Sequence, residues 1–156
     1  MLALCHHMSR FHDAQRRRGW GIYNQQDLRV LVGKTVGILG TGYTGSALAV
    51  RAKACGTRVL GYRRRKGDLP PEFDRLFCFE SGDSLEPLLS ESDFLVVALP
   101  LNDQTYHLIG DREMKQMRPG SYIVNVGRGA VINEAALVTN LKARSSCGGR
   151  AGYVYR

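Results

Sequence analysis

The chain has 156 residues, of which 44% are hydrophobic and 23% charged, a balance that suits one globular domain with a single buried core. No apolar run approaches the roughly 18 to 20 residues that cross a bilayer, and His6 and His7 interrupt the short apolar start where a leader would carry its core, so membrane function is excluded and a soluble, cytoplasmic protein is expected. The net charge of +8 is concentrated in Arg16–Arg18 and Arg63–Lys66 and suits a phosphate ligand, a solvated face or nucleic acid; the last is disfavoured because aromatic RNP strands, zinc fingers and basic-heptad patterns are absent.

Leu2, Cys5, Met8, Phe11 and Ala14 stand three apart, which predicts a helix over residues 1–20. Gly19-Trp20-Gly21 breaks it. Through Gly33-Lys34 the chain enters a buried strand at Thr35–Leu39, and that strand runs directly into a glycine loop. Helix formers follow from Ser46 to Ala54 and stop at Gly56, and Arg58–Tyr62 reads as a second strand. After Pro70-Pro71 come a weak strand at Leu76–Phe79, a short helix from Ser84 to Ser90 capped by Asp83 or Ser84, and a strongly apolar strand at Phe94–Ala98. Helical turns at Gln104–Leu108 and Asp111–Met117 lead to a strand at Ser121–Asn125, and Asn133–Lys142 closes with a helix. The four cysteines are scattered, with no spacing that signals a disulfide framework or a zinc site. Strands alternating with helices imply a doubly wound parallel α/β sheet of Rossmann-like type, with strands in 3-2-1-4-5 order.

Gly40-Thr41-Gly42-Tyr43-Thr44-Gly45 is a G-x-G-x-x-G sequence between a buried strand and a helix. There the first glycine allows a tight turn, the second lets backbone approach a pyrophosphate, the third lets helix and strand pack closely, and the helix N-terminus supplies N–H donors. A glycine turn without a ligand is the alternative. At the end of the second strand, where an acidic residue commonly accepts hydrogen bonds from ribose hydroxyls, this chain has Arg63 and Arg64. Two guanidinium groups suit the dianionic 2′-phosphate of NADP better than the hydroxyl of NAD; a merely solvated basic loop is the other reading.

Several further stretches then fall in a recognisable order: Gly33–Gly40, Leu85–Leu89 leading to Ser92-Asp93, Leu99-Pro100-Leu101 with Thr105 and His107-Leu108-Ile109, Met117–Gly120, and Asn125-Val126-Gly127-Arg128-Gly129. In this the chain resembles the NAD(P)-binding domain of the D-isomer-specific 2-hydroxyacid dehydrogenases, including glyoxylate/hydroxypyruvate reductases and phosphoglycerate dehydrogenases, from its start to about Lys142. The resemblance implies that Arg128 binds the carboxylate and keto oxygen of a small 2-oxo acid, since a rigid bidentate cation can orient the one and polarise the other. It also implies that Ala98, Leu99, Pro100, Thr105, Val126 and Gly127 line the cofactor cleft beside Gly40, Gly42, Tyr43, Thr44, Gly45, Arg63 and Arg64. His107 sits in a stretch that looks structural in the family and receives no role. Family members dimerise largely through this domain, which leaves a homodimer open.

The family's proton-donor histidine and its orienting glutamate lie beyond the point where this chain stops, and the substrate-binding half is expected to be missing apart from the interdomain-type helix at residues 1–20. The dinucleotide-binding domain is assigned to residues 28–142 and an aberrant tail to residues 143–156. Arg150–Tyr155 is encoded by a string such as CGG GCT GGA TAT GTA TAC, whose next frame reads Gly-Leu-Asp-Met-Tyr, close to the family's continuation. A frameshift near Arg144–Cys147 is therefore expected, with the fragment inactive. The competing reading is a non-catalytic dinucleotide-binding or sensor module.

Overall fold

A computed structural model describes residues 1–20, 30–146 and 152–154. The break expected at Gly21, Leu28 before the first strand, and most of the tail assigned as aberrant lie outside the described residues. Six parallel strands form one sheet: β1 (Thr35–Leu39), β2 (Arg58–Arg63), β3 (Arg75–Cys78), β4 (Phe94–Val97), β5 (Tyr122–Asn125) and β6 (Gly152–Val154), in the order β3-β2-β1-β4-β5-β6. The helices are α1 (Leu2–Cys5), α2 (Met8–Arg16), α3 (Tyr43–Ala54), α4 (Glu86–Glu91), α5 (Asp111–Gln116) and α6 (Glu134–Ser146).

Every residue of β1 and β4 is buried, as a parallel sheet covered on both faces requires. Because side chains alternate along a strand, the two faces feed two separate cores. Val36, Ile38, Phe94 and Val96 join Ala49 and Ala52 of α3 and Cys5 of α1. Leu39, Leu95 and Val97 join Leu88 and Leu89 of α4 and Met114 of α5. The β1–β4 register, Val36 opposite Phe94 and Leu39 opposite Val97, keeps the two sets apart and brings the C-terminal ends of the central strands level.

Three local expectations differ from the structure. The single N-terminal helix is two helices broken at His6 and His7, with His7 in left-handed conformation at φ 48°. The break falls between positions that the three-residue spacing placed on one helix: Leu2, Met8 and Phe11 are exposed, while Cys5 and Ala14 are buried. Residues 104–108 form hydrogen-bonded turns instead of helix, because the Asn102 side chain accepts from both the Gln104 and Thr105 N–H groups, offering the backbone a local alternative to the helical pattern. At the other end, α6 runs on to Ser146 and β6 adds a sixth strand, paired Tyr122 with Gly152 and Val124 with Val154. The edge of β5 presents free backbone donors and acceptors, which a short segment carrying two strand-favouring residues, Tyr153 and Val154, completes.

Candidate functional site

The strand β1 ends at Leu39, and Gly40 turns the chain at φ 95° with its N–H on the Tyr62 carbonyl at 2.9 Å. A Cβ at Gly40 would lie 2.7 Å from the Ala98 carbonyl oxygen, so both the conformation and the space demand glycine. A Cβ at Gly45 would stand 1.9 Å from the Gly40 oxygen, which packs the first turn of α3 directly on the loop. At Gly42 nothing lies within 4 Å of the Cβ position; the loop opens there onto free space beside the first-turn N–H groups of α3, which have no intrahelical acceptor. Ser46 Oγ donates to the Thr41 carbonyl at 3.1 Å and fixes the turn, while Tyr43 is almost fully exposed.

Two cavities flank this loop at the C-terminal end of the sheet. The first, about 480 Å3, is lined by Tyr62, Arg63 and Arg64 of the β2 end, Phe79 and Leu85 after β3, Leu99, Pro100, Asn102, Gln104 and Thr105 after β4, and Leu108 and Glu113. The second, about 530 Å3, is lined by Thr44, Ala98, Leu99, Pro100, Leu101, Val126, Gly127 and Arg128. Leu99 and Pro100 form the wall common to both. Ten of the fourteen residues anticipated from sequence therefore line one or other cavity, and Gly40, Gly42, Tyr43 and Gly45 build the turn between the end of β1 and α3.

Arg63 is the more constrained of the two arginines. Its Nη2 donates to the carbonyls of Gly67 and Asp68, while its Nε is buried without an acceptor among the described residues. A buried N–H donor left unpaired costs free energy that a ligand oxygen can recover. Arg64 lies 3.7 Å from Glu80, with both side chains about half exposed. The Tyr62 phenol is pushed above its ordinary pKa by burial and then by the nearby Asp83 and Cys78, so it stays neutral on the cavity wall.

At the other end Arg128 follows β5 and is set by Asn125. The buried Asn125 side chain accepts from the Gly127 N–H at 2.9 Å and donates to the Arg128 carbonyl at 3.1 Å. A Cβ at Gly127 would approach the Leu99 oxygen to 2.6 Å, so the strand end and the cavity wall pack without room for a side chain. Among the described residues no carboxylate pairs with Arg128. The Thr105 hydroxyl donates to the Pro100 carbonyl at 2.7 Å and accepts from the Asn102 N–H; it shapes the wall through the backbone. His107 has φ 51°, stacks on Tyr106 with ring centroids 3.9 Å apart and places Nδ1 3.3 Å from Asn133 Nδ2, while its backbone N–H donates to the Ala130 carbonyl.

Sequence reasoning missed Tyr62, Phe79, Leu85, Asn102, Gln104, Leu108 and Glu113 in the first cavity and Leu101 in the second. Leu85 and Leu108 carry the same signal as core residues, and only Asn102, a polar residue two positions after a proline at a strand end, offered a separate one. Among the described residues no helix is long and apolar enough to cross a membrane.

Residues 1–148 match the family described as D-isomer specific 2-hydroxyacid dehydrogenase, NAD binding domain. A glyoxylate reductase of Thermococcus gammatolerans is 48% identical over 111 residues, which cover 70% of this chain and 32% of that protein. A glyoxylate/hydroxypyruvate reductase B of Erwinia tasmaniensis is 41% identical over 111 residues, 70% of this chain and 33% of the relative. The chain thus spans about a third of the length of these relatives. The structure of a glycerate dehydrogenase related protein from Thermoplasma acidophilum superposes with a TM-score of 0.83 at 30% identity, over 97% of this chain and 49% of that one. A D-isomer specific 2-hydroxyacid dehydrogenase from Xanthobacter autotrophicus Py2, solved in complex with NADPH and MES, gives 0.78 at 29% identity, over 97% and 45%.

Proposed function

Because the chain belongs to the D-isomer-specific 2-hydroxyacid dehydrogenases as their nicotinamide-dinucleotide-binding domain, we propose that it serves hydride transfer between NADP(H) and a small 2-oxo or 2-hydroxy acid such as glyoxylate or hydroxypyruvate. The observation that carries this is the pair of cavities sharing one wall, with two arginines in the first and Arg128 in the second. The residues fit the cofactor: Gly42 leaves open space beside the α3 N-terminus for a pyrophosphate, and Arg63 Nε, which has no acceptor among the described residues, can donate to a ligand oxygen. When bound, the nicotinamide supplies the hydride.

The chain's own part is positioning and electrostatics. Arg128, held through the Asn125 clamp, orients a carboxylate and polarises the adjacent carbonyl toward reduction. Val126 and Gly127 bring the end of β5 against the shared Leu99–Pro100 wall.

The phosphate preference follows from charge. Charge-assisted hydrogen bonds contribute about 1.5 to 3 kcal/mol each, so NADPH should bind at least about tenfold more tightly than NADH. Calorimetric titration of the chain with both dinucleotides tests it, alongside Arg63→Asp, which should remove the preference. Equal affinities in the unsubstituted chain, or a preference untouched by the substitution, would refute it.

A further inference from the structure

Arg64 is held at both ends by the last residue of β3 and the turn that follows it. Its carbonyl accepts from the Glu80 N–H at 3.0 Å and from Cys78 Sγ at 3.2 Å, and its guanidinium Nε lies 3.7 Å from Glu80 Oε1. Phe79, one residue before Glu80, lines the same cavity as both arginines. Arg63 is anchored through Nη2 by the Gly67 and Asp68 carbonyls and keeps only its Nε for a ligand, so Arg64 is the cradle cation that can swing. Its present partner is a carboxylate, and at 53% and 52% exposure that ion pair is screened by water and weak enough to exchange.

A 2′-phosphate would compete with Glu80 for the same guanidinium and would be repelled by the carboxylate it displaces. A 2′-hydroxyl carries no charge and does neither. We propose that Glu80 is a specificity-determining residue: the resident anion that a 2′-phosphate must displace from Arg64, and so the group that sets the ratio of NADP to NAD affinity. This rests on reading Arg63 and Arg64 as the phosphate cradle. The sequence gives no hint of it, since Glu80 lies 16 positions beyond Arg64 and the two meet only because β2 and β3 are parallel neighbours with Arg63 opposite Cys78.

The test is calorimetric titration of the full chain with NADPH and with NADH for four forms: unsubstituted, Glu80→Gln, Arg64→Ala and the double variant. Glu134→Gln, an exposed position at the start of α6, controls for the loss of one negative charge. Glu80→Gln should tighten NADPH about two- to fivefold, the range expected from an exposed ion pair, and leave NADH within about twofold. The gain should shrink as salt is raised, vanish in the Arg64→Ala background and be absent in Glu134→Gln.

Equal gains for both dinucleotides, a weaker NADPH complex, a loss of NADH affinity that marks Glu80 as a ribose ligand, or a gain that survives Arg64→Ala would each overturn the proposal. A phosphate preference that is present but unchanged by Glu80→Gln would overturn the proposal and leave the cradle reading standing, whereas no preference in the unsubstituted chain and none in Glu80→Gln would overturn both. Absence of binding by every form would overturn both.

Discussion

Replacing Gly45 by alanine sets two effects of opposite sign against each other. Gly45 sits in the first turn of α3, and the exchange of glycine for alanine inside a helix is worth about 0.8 to 1 kcal/mol in favour of alanine. The added Cβ, however, would stand 1.9 Å from the Gly40 carbonyl oxygen and 3.3 Å from Ile38 Cγ2. A relaxed carbon–oxygen contact needs about 3.3 Å, so the start of the helix must move away from the loop by about 1.4 Å. The obstructing atom is backbone at a left-handed residue and cannot rotate aside. Overpacking of this kind costs about 1 to 3 kcal/mol or more, which exceeds the propensity gain at all but the lowest end. We expect net destabilisation of about 1 to 2 kcal/mol, read as a fall in Tm of about 2 to 8 °C for a chain of this size. The same displacement moves the loop that would hold the pyrophosphate, so NADPH affinity should fall at least tenfold. Thermal unfolding followed by circular dichroism, with fluorescence titration of NADPH, measures both. A variant that melts higher than the unsubstituted chain, with dinucleotide affinity intact, would show that propensity wins and that the tight α3–loop contact is not real.

Leu88→Ala should cost about 2 to 5 kcal/mol in urea denaturation, because Leu88 is fully buried between α4 and the sheet; a cost below about 1 kcal/mol would mean that α4 does not pack as described. Asp74 is held below the usual carboxylate range by its hydrogen bond from Lys53 at 2.6 Å and then by the Val59 N–H at 2.8 Å. A carboxyl whose folded pKa is depressed stabilises the fold above its unfolded pKa and loses that contribution as the pH falls through the folded value. Asp74→Asn should therefore lower the urea midpoint at pH 7, and the gap to the unsubstituted chain should close as the pH falls below about 4; a gap that stays constant from pH 7 to pH 3 would rule the linkage out.

Residues close together in the chain made the loop and the central strands readable. Thr35–Leu39 and Phe94–Val97 are continuous apolar runs between turn residues, and Gly40–Gly45 sits between strand and helix, so spacing alone specifies strand, loop and helix N-terminus. The positions of Arg63 and Arg128 were legible for the same reason: Arg63 closes β2 and Arg128 follows β5, at the strand ends where open parallel sheets bind ligands. The first helix misled because the three-residue spacing runs across His6 and His7, where the chain leaves the helix with His7 in left-handed conformation.

What only the tertiary structure decided is which segments meet. The β2 end, the turn after β3, residues 99–105 and Glu113 are far apart in sequence, yet they surround one cavity because every parallel strand delivers its C-terminal end to the same edge of the sheet. Asn125 reads as the last residue of a strand, and only its hydrogen bonds to Gly127 and Arg128 reveal it as the clamp on the turn that carries Arg128. The pairing of Glu80 with Arg64 and the sixth strand on the edge of β5 are set in the same way, by contacts between strands whose order in the sheet no local pattern encodes.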